Sequence, residues 1–354
     1  MNEQRQSDFY ELYRSVNESF PRRLVFRAGI DAGFFAEFRY MVNAVIFCLQ
    51  NRIQFCLYSR DANFVVERGW EDFFVPFCTE VSDGFHSRWN IHALPSLAEL
   101  RRRNPRLSVS ALFVWKLKTA FRGCMCRLIS LFRYGRDTLS TYDLPQKPSE
   151  RCIVPEMGMD CSYFEAFQKI SAMIWQLNDT VLREAGPLLQ SAGLPAHFAG
   201  MQIRGGDKIT EVGLLSPDVF VSALKKTSSL RDILLLTDDY GVLESVRQKY
   251  PEYSWHSLCT AGERGYVNAA FARTAAADKR EKMIRFLAQV DALLRSDVFV
   301  GSITVGPSLF VLQMLYPRAV AVDCEMSSLP AVAYLTIKAR GEIAVRYLEN
   351  HANG

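Results

Sequence analysis

Hydrophobic residues near the start of the chain alternate between short apolar runs and one stretch with a helical period. Residues 24–26 and 55–58 are apolar runs with the length and composition of buried strands. Between them, residues 29–33 contain two glycines and predict a turn, and apolar residues recur every three to four positions over residues 38–49. Strand, turn, helix and strand in this order predict a βαβ unit.

The second half of the chain repeats this alternation several times. Apolar runs that predict strands occur at 198–203, 232–237, 298–300 and 319–322. Stretches that predict helices occur at 217–226, 242–250, 282–295 and 309–315. Strands that alternate with helices predict an α/β fold with a parallel sheet, in which ligands bind at the carboxyl ends of the strands.

Residues 99–136 differ from the rest of the chain because basic residues dominate them. Arginines and lysines alternate with apolar and aromatic residues, and the nearest acids are Glu99 and Asp137 at the two ends. This pattern predicts one long basic amphipathic helix. Its arginines could simply face solvent, or the helix could bind an anionic acceptor or a membrane surface. Nucleic acid is less favoured, because the formal charge of the whole chain is only +4.

Length and composition are those of a globular protein with two domains. The chain has 354 residues, of which 49% are hydrophobic and 23% charged, values that exclude a disordered chain. We expect neither a secretory signal nor a transmembrane helix, because no run of about 18 apolar residues occurs. The nine cysteines lie in apolar surroundings, which is typical of reduced thiols and predicts a cytoplasmic protein. Cys124 and Cys126 lack a second pair at metal-binding spacing, so we expect no metal there.

Residues suited to bind a diphosphate follow three of the predicted strands, at 204–208, 237–239 and 301–306. An arginine on a glycine turn, with hydroxyl residues and free amides at the start of a helix, has the groups that bind a diphosphate. Each segment alone also fits a structural role, as a solvated turn, a helix cap or a strand-to-helix connection. Their occurrence at successive strand ends favours a nucleotide-diphosphate site.

These segments resemble the donor motifs of the α1,6-fucosyltransferases, a family that includes the core fucosyltransferase of N-glycans and the rhizobial nodulation fucosyltransferases. Residues 202–211, Gln-Ile-Arg-Gly-Gly-Asp-Lys-Ile-Thr-Glu, are similar to the family's His-x-Arg-Arg-x-Asp-Lys motif. Residues 237–239 and 295–304 resemble the second and third motifs. The first half also resembles the family, in the same order and spacing, at 33–44, 51–52 and 69–76. In all, the resemblance covers residues 24–78 and 199–325.

The resemblance implies an α/β fold of the GT-B type, with two Rossmann-like domains and a cleft between them. We therefore expect an acceptor-side domain at 1–190, a nucleotide-sugar-binding domain at 191–325 and a C-terminal helix within 326–354. Family members transfer fucose from GDP-fucose to a glycan hydroxyl, with inversion and without a metal or other cofactor. The expected partners are a nucleotide sugar and a glycan and, through 99–136, an anionic membrane surface.

The resemblance also implies roles for single residues. Arg204 would stabilise the departing diphosphate, Glu211 would act as the catalytic base, and Asp207 would orient its neighbours. The other residues expected at the donor are Gln202, Lys208, Gly33, Asp238, Asp239, Asp291, Ser302 and Thr304.

Three positions depart from the family pattern. Gln202 replaces the histidine that the family uses with guanine, Gly205 replaces its second arginine, and Glu211 lies one residue nearer to Lys208 than the family's glutamate. These departures leave two further interpretations open. One is a transferase of the same fold with another nucleotide sugar, and the other is a non-catalytic module that binds a nucleotide or a glycan.

Overall fold

The computed structural model of the chain divides into two compact units, Met1–Gln176 and Leu177–Gly354. The structure describes residues 3–29, 33–90, 94, 97, 100, 101, 104–135, 138–140, 150–205 and 215–351. Each unit contains its own parallel sheet.

The first unit is built on a four-stranded parallel sheet in the order β3-β2-β1-β4. These strands, β1 to β4, are Arg22–Arg27, Ile53–Tyr58, Thr79–Glu80 and Thr138–Ser140. An antiparallel pair follows, formed by β5 (Arg151–Val154) and β6 (Met159–Ser162). The helices, α1 to α5, are Glu3–Ser19, Phe34–Gln50, Phe85–Trp89, Val109–Tyr134 and Tyr163–Ile174. The predicted βαβ unit is confirmed, because α2 connects the parallel neighbours β1 and β2.

Aromatic side chains form much of the core of the first unit. Phe34 and Phe38 lie on the buried face of α2, and the rings of Trp70, Phe74 and Trp175 pack around them. The Trp70 and Phe74 rings stack with their centroids 4.1 Å apart. Full burial of one large apolar side chain contributes about 1.5–3 kcal/mol to folding, so this cluster is a main source of the unit's stability.

The second unit is built on a five-stranded parallel sheet in the order β11-β10-β7-β8-β9. These strands, β7 to β11, are Ala199–Gln202, Asp232–Leu236, Ser254–His256, Val298–Gly301 and Ala319–Ala321. The helices, α6 to α13, are Asp179–Ser191, Pro217–Thr227, Tyr240–Lys249, Asn268–Ala272, Ala276–Leu293, Gly306–Leu315, Leu329–Val332 and Ile337–His351. The predicted α/β class with Rossmann-like sheets is confirmed, while the cleft between the domains stays a prediction.

The basic segment is not one continuous helix over residues 99–136. Helix α4 begins at Val109, and the Ser108 side chain caps it by accepting a hydrogen bond from a first-turn amide. Residues 104–108 are not helical. Pro105 explains the interruption, because it lacks an N–H group and disfavours the helical conformation in the residue before it. Among the residues that the structure describes, no helix is long and apolar enough to cross a bilayer.

The boundary between the two units lies between Gln176 and Leu177. It precedes the boundary predicted after residue 190 by one helix. The sequence predicts a single helix over 164–184, whereas the structure has two, α5 and α6. They are separated by residues 175–178, and Asn178 caps α6 by accepting a hydrogen bond from the Val181 amide at 2.9 Å. Helix α6 belongs to the second unit because it packs along α10. The helix expected within 326–354 corresponds to α12 and α13 of that unit.

Candidate functional site

The strand order of the second unit reverses between β7 and β10. From β7 the chain continues through β8 to β9 on one side of the sheet, and it then returns to β10 and β11 on the other side. β7 and β10 are parallel neighbours with Met201 opposite Val300, so the same register sets Gln202 beside Gly301. In open α/β sheets, ligands bind outside the carboxyl ends of the strands at such a reversal. The loops that follow these two strands therefore form the candidate site.

The turn after β7 places Arg204 at this reversal. Its side chain is only 16% exposed, and its Nε atom lies 3.7 Å from Oδ2 of Asp238. The guanidinium carbon lies 5.8 Å from the centre of the Tyr266 ring, within the range of a cation–π contact. A guanidinium group can bind two phosphate oxygens with parallel N–H groups, and partial burial strengthens such an interaction. Arg204 thus has both the position and the chemistry to bind a diphosphate.

Asp238, which follows β8, holds the Arg204 turn in place. Its Oδ1 atom accepts a hydrogen bond from the Gly205 amide at 2.7 Å, and its Oδ2 atom accepts one from the Tyr266 amide at 2.9 Å. Its backbone carbonyl also accepts a hydrogen bond from the Gly265 amide at 2.7 Å. Asp238 therefore connects the loops after β7 and β9, and it acts on the site by positioning Arg204.

The close approach of Asp239 accounts for the glycine at position 205. A Cβ atom at this position would lie 2.5 Å from Cβ of Asp239, a distance that real Cβ atoms essentially never adopt. Asp239 has a fixed place because its Oδ1 atom caps α8, where it accepts a hydrogen bond from the Gly241 amide at 2.9 Å. The second arginine of the family motif would not fit here without a shift of α8.

Gln202, the last residue of β7, brings a buried amide to the same strand end. Its side chain is almost fully buried, and its Oε1 atom has no hydrogen-bond partner among the residues that the structure describes. Leaving a buried acceptor unpaired costs about 1–3 kcal/mol. A ligand with an N–H donor would relieve that cost.

The loop after β10 is organised by a buried carboxylate, Asp323. Ser302 Oγ donates to Asp323 Oδ2 at 2.6 Å, and the Ile303 amide donates to Oδ1 at 3.0 Å. The hydroxyls of Ser302 and Thr304 lie 2.7 Å apart. Burial raises the pKa of Asp323, and the hydrogen bonds from Ser302 and the Ile303 amide oppose that rise. Ser302 and Thr304 therefore shape this loop through contacts within the protein.

Helix α11 starts directly after this loop and directs its N-terminus towards the carboxyl end of β10. The residue before it, Val305, makes no side-chain capping hydrogen bond. The first-turn amides of a helix have no acceptor within the helix, and the helix dipole adds positive potential at that end. The start of α11 is therefore suited to an anion beside Arg204, on the neighbouring strand.

The role expected for Asp291 at the donor stays a prediction. Asp291 lies near the C-terminus of α10, which leads into the amino end of β10, and it pairs with Arg295 at 3.1 Å. Gln289, two residues earlier on another face of α10, accepts a hydrogen bond from the Leu258 amide at 3.0 Å. It thereby supports the loop after β9.

The structure thus brings together Gln202, Arg204, Asp238 and Asp239 after β7 and β8, and places Ser302 and Thr304 after β10. Gly33 lies in the first unit, where it precedes α2 as its N-cap residue. The predicted residues Asp207, Lys208 and Glu211 lie outside the described residues.

Two residues of the site are absent from the sequence-based prediction. Asp323 follows β11 after a single residue, so the strand-end rule that singles out 237–239 would also have found it. Tyr266 lies in the loop after β9, and no local pattern marks it, because its contact with Arg204 exists only in the folded unit. Within the described ranges, no group of three or more His, Cys, Asp or Glu side chains could hold a metal ion.

Comparison with known proteins gives similarity at the level of structure only. No protein-family model matches the chain, and no curated protein sequence matches it. Solved structures that it is similar to include the fucosyltransferase NodZ from Bradyrhizobium, with 16% identity, a TM-score of 0.48, and coverage of 85% of this chain and 95% of that chain. A mutant of Arabidopsis thaliana FUT1 in complex with GDP has 12% identity, a TM-score of 0.47, and coverage of 87% and 73%. POFUT1 in complex with GDP-fucose has 12% identity, a TM-score of 0.42, and coverage of 85% and 97%.

Proposed function

We propose that this protein is a glycosyltransferase that binds a nucleotide-diphosphate sugar in its second unit, and that the sugar donor is GDP-fucose. The observation that carries the proposal is the pairing of Arg204 and the N-terminus of α11 at the reversal between β7 and β10. Both groups favour an anion, and they lie at the place where this class of sheet binds nucleotides. The resemblance to fucosyltransferase motifs supports fucose as the sugar and a glycan hydroxyl as the acceptor.

Arg204 would act on the leaving group of the transfer. As the bond between sugar and diphosphate breaks, negative charge grows on the diphosphate oxygen. A guanidinium group that Asp238 and Tyr266 already hold in position stabilises this charge without reorganising. Arg204 and the α11 amides would thereby supply the positive potential for a transfer that needs no metal ion.

The acceptor hydroxyl needs a base, and the motif resemblance supports Glu211 in this role. A carboxylate on the opposite side of the sugar from the diphosphate would take the hydroxyl proton as the new bond forms. Attack from that side inverts the configuration at the sugar carbon. Asp207 and Lys208 would then assist Arg204, because they lie three and four residues after it in the chain.

Gln202 would recognise the base of the nucleotide. Its buried Oε1 atom needs a donor, and the N–H groups of guanine are donors. A site built around an unpaired buried acceptor discriminates strongly against a ligand that lacks the matching N–H group. Uracil also offers an N–H donor that Gln202 could bind. The replacement of the family's histidine by Gln202 therefore supports a second candidate function, a transferase that uses another nucleotide sugar.

Titration calorimetry with GDP, UDP, ADP, CMP and dTDP, followed by transfer assays from GDP-fucose, tests the proposal. We expect GDP to bind most tightly and fucose to be transferred to a glycan acceptor. Tightest binding of UDP, with transfer from a UDP-sugar, would support the second candidate. Tight binding of a nucleotide without transfer or hydrolysis of any nucleotide sugar would identify a non-catalytic module and refute the enzyme.

A further inference from the structure

One side of α4 exposes a continuous set of large apolar side chains. Phe113 is 64% exposed, Leu117 is 60% exposed and Phe132 is 86% exposed. Their spacings place them on the same side of a helix with 3.6 residues per turn. This set, which we name the outward face, also contains Val109, Val114, Phe121, Leu128 and Leu131. Contiguous exposed apolar surface on a folded protein marks an interaction site.

The opposite side of α4 is attached to the first unit. Ser130 is buried there and accepts a hydrogen bond from Arg27 at 2.7 Å. Arg122 donates to the backbone carbonyls of Arg88 and Asn90, at 2.6 and 3.2 Å. These contacts hold the helix in one rotational setting, with the outward face directed away from the unit.

Cations border the outward face on both sides. Helix α4 contains no Asp or Glu, so each of its charged side chains is a lysine or an arginine. With a turn of about 100° per residue, Lys116 and Arg127 lie along one edge of the apolar set and Lys118 lies along the other. All three side chains are exposed. The helix therefore presents an apolar centre between two positive edges.

This arrangement discriminates between two possible occupants of the face. A second copy would bring the basic edges of one α4 against those of the other, and neither helix has an acid to pair with them. A bilayer surface with anionic lipids fits both the apolar centre and the basic edges of α4. The apolar side chains can enter the boundary between headgroups and acyl chains, while the cations stay at the lipid phosphates. We propose that the outward face of α4 binds the surface of membranes that contain anionic phospholipids, with the helix parallel to the membrane plane.

The inference goes beyond the proposed transferase activity and does not depend on it. The candidate nucleotide site lies in the second unit, whereas α4 belongs to the first. Nucleotide binding and membrane binding can therefore be measured separately, and either can fail without the other.

Vesicle flotation tests the electrostatic part of the proposal. The full chain is mixed with vesicles of phosphatidylcholine alone, or of phosphatidylcholine with phosphatidylglycerol, at low and at high salt. We expect flotation only with phosphatidylglycerol, and less of it at high salt. Each cation at such a surface strengthens partitioning about fivefold, so Lys116→Glu with Lys118→Glu should weaken it by at least roughly 25-fold.

Two exposed lysines elsewhere provide the control for this charge change. Lys282→Glu with Lys338→Glu alters the net charge equally, at α10 and α13. We expect this variant to float like the unaltered protein. Equal losses in the two variants would show that only overall charge matters and would overturn the proposal, as would failure of the unaltered protein to float at low salt.

Replacement of apolar residues tests insertion. Phe113→Ser, Leu117→Ser and Phe132→Ser together should abolish flotation on anionic vesicles, with the thermal midpoint of unfolding unchanged, because the three side chains are exposed. The control replaces three apolar residues outside α4 that are about half-exposed, by Leu182→Ser, Val267→Ser and Val345→Ser. Retained flotation of the α4 variant would overturn the proposal.

A probe on Cys124 reports the depth of the helix directly. Of the nine free cysteines, Cys124 is the exposed one, and it lies on the outward face between Phe121 and Leu128. With the partly buried Cys78 and Cys161 replaced by serine, Cys124 is labelled with an environment-sensitive fluorophore. We expect a blue shift and quenching by brominated acyl chains when anionic vesicles are added. An unchanged spectrum on bound vesicles, or a dimer in sedimentation velocity that the triple α4 variant abolishes, would refute membrane binding through this face.

Discussion

Residues of the candidate site form two groups. One group would contact the ligand, and the other holds these contact residues in position. Arg204 and Gln202 direct polar groups to the end of β7, whereas Asp238, Asp239 and Asp323 are occupied by hydrogen bonds within the protein. Each carboxylate of this second group accepts hydrogen bonds from amide or hydroxyl groups of a loop. These hydrogen bonds hold the loop in a single geometry. Substitutions in the two groups should therefore differ in their effect on stability.

For Arg204→Ala, we expect a loss of about 100- to 1000-fold in kcat/KM for the preferred donor, because one preorganised donor to the leaving group disappears. The thermal midpoint of unfolding should barely change. Arg231→Ala is the control, since Arg231 precedes β8 at the opposite end of the sheet. A value of kcat/KM within about threefold of the unaltered protein would show that Arg204 has no part in transfer.

Gly205→Ala should act through packing. The added methyl group meets Asp239 Cβ at 2.5 Å, so the Arg204 turn or the start of α8 must move. We expect a loss of about 1–3 kcal/mol in the free energy of unfolding, together with weaker binding of the nucleotide. Gly262→Ala is the matched control, because nothing lies within 4 Å of a Cβ atom at that position. Equal stability of the two variants, measured by chemical denaturation, would contradict the packing argument.

Glu211→Gln should separate binding from turnover. The proposed base acts on the acceptor hydroxyl, so its loss should lower kcat by about 100-fold or more while leaving the dissociation constant for the nucleotide unchanged. Single-turnover kinetics and titration calorimetry measure the two quantities independently. If kcat is unaffected, another carboxylate must act as the base.

At the scale of elements, a buried polar network fastens α4 to the sheet of the first unit. His86 on α3 is fully buried, its Nδ1 atom accepts a hydrogen bond from Arg27 Nε at 3.0 Å, and its Nε2 atom lies 2.9 Å from the hydroxyl of Tyr134. That hydroxyl donates to Asp83 at 2.5 Å. Arg27 ends β1 and Tyr134 ends α4, so the network joins strand, short helix and long helix at one point.

This network predicts a loss of stability in acid. Burial and the Arg27 charge lower the pKa of His86 to about 3, below the ordinary value of 6.5 that the unfolded chain would have. The unfolded state therefore binds an extra proton below pH 6.5, and stability falls as the pH drops from there towards 3. One such group contributes a slope of at most about 1.4 kcal/mol per pH unit.

Measurement of the unfolding free energy from neutral pH to pH 5 checks this prediction. His86→Gln should be less stable at neutral pH and should show a shallower slope. If His86→Gln retains the full slope, the acid sensitivity originates elsewhere.

At the scale of the whole molecule, each unit has its own sheet and its own core. A ligand that binds one unit should therefore stabilise that unit more than the other. Hydrogen exchange in the presence of GDP should protect residues 199–205 and 302–309 of the second unit, while β1 and β2 of the first unit stay unchanged. A ligand at 100 times its dissociation constant adds about 2.7 kcal/mol to the state that binds it. Protection confined to the first unit would contradict the location of the nucleotide site.

The local parts of this protein follow from its amino-acid sequence alone. The apolar runs predict β1, β2, β7, β8 and β10, because burial on both faces of a parallel sheet leaves its pattern in consecutive residues. The Arg204 turn was recognisable for the same reason, since an arginine between a strand and two glycines is a local signal. Pro105 is also a local signal that interrupts a helix, although the charge pattern around it predicts a single helix.

Which of these local parts come into contact depends on the folded arrangement of the chain. Adjacency of β7 and β10 depends on the order of strands in the sheet, which no periodicity encodes. Asp323 likewise reaches Ser302 because β11 lies beside β10 in that order. Contacts between residues far apart in sequence arise from the packing of whole elements, so the chemistry of the strand ends could be listed from the sequence but their geometry could not.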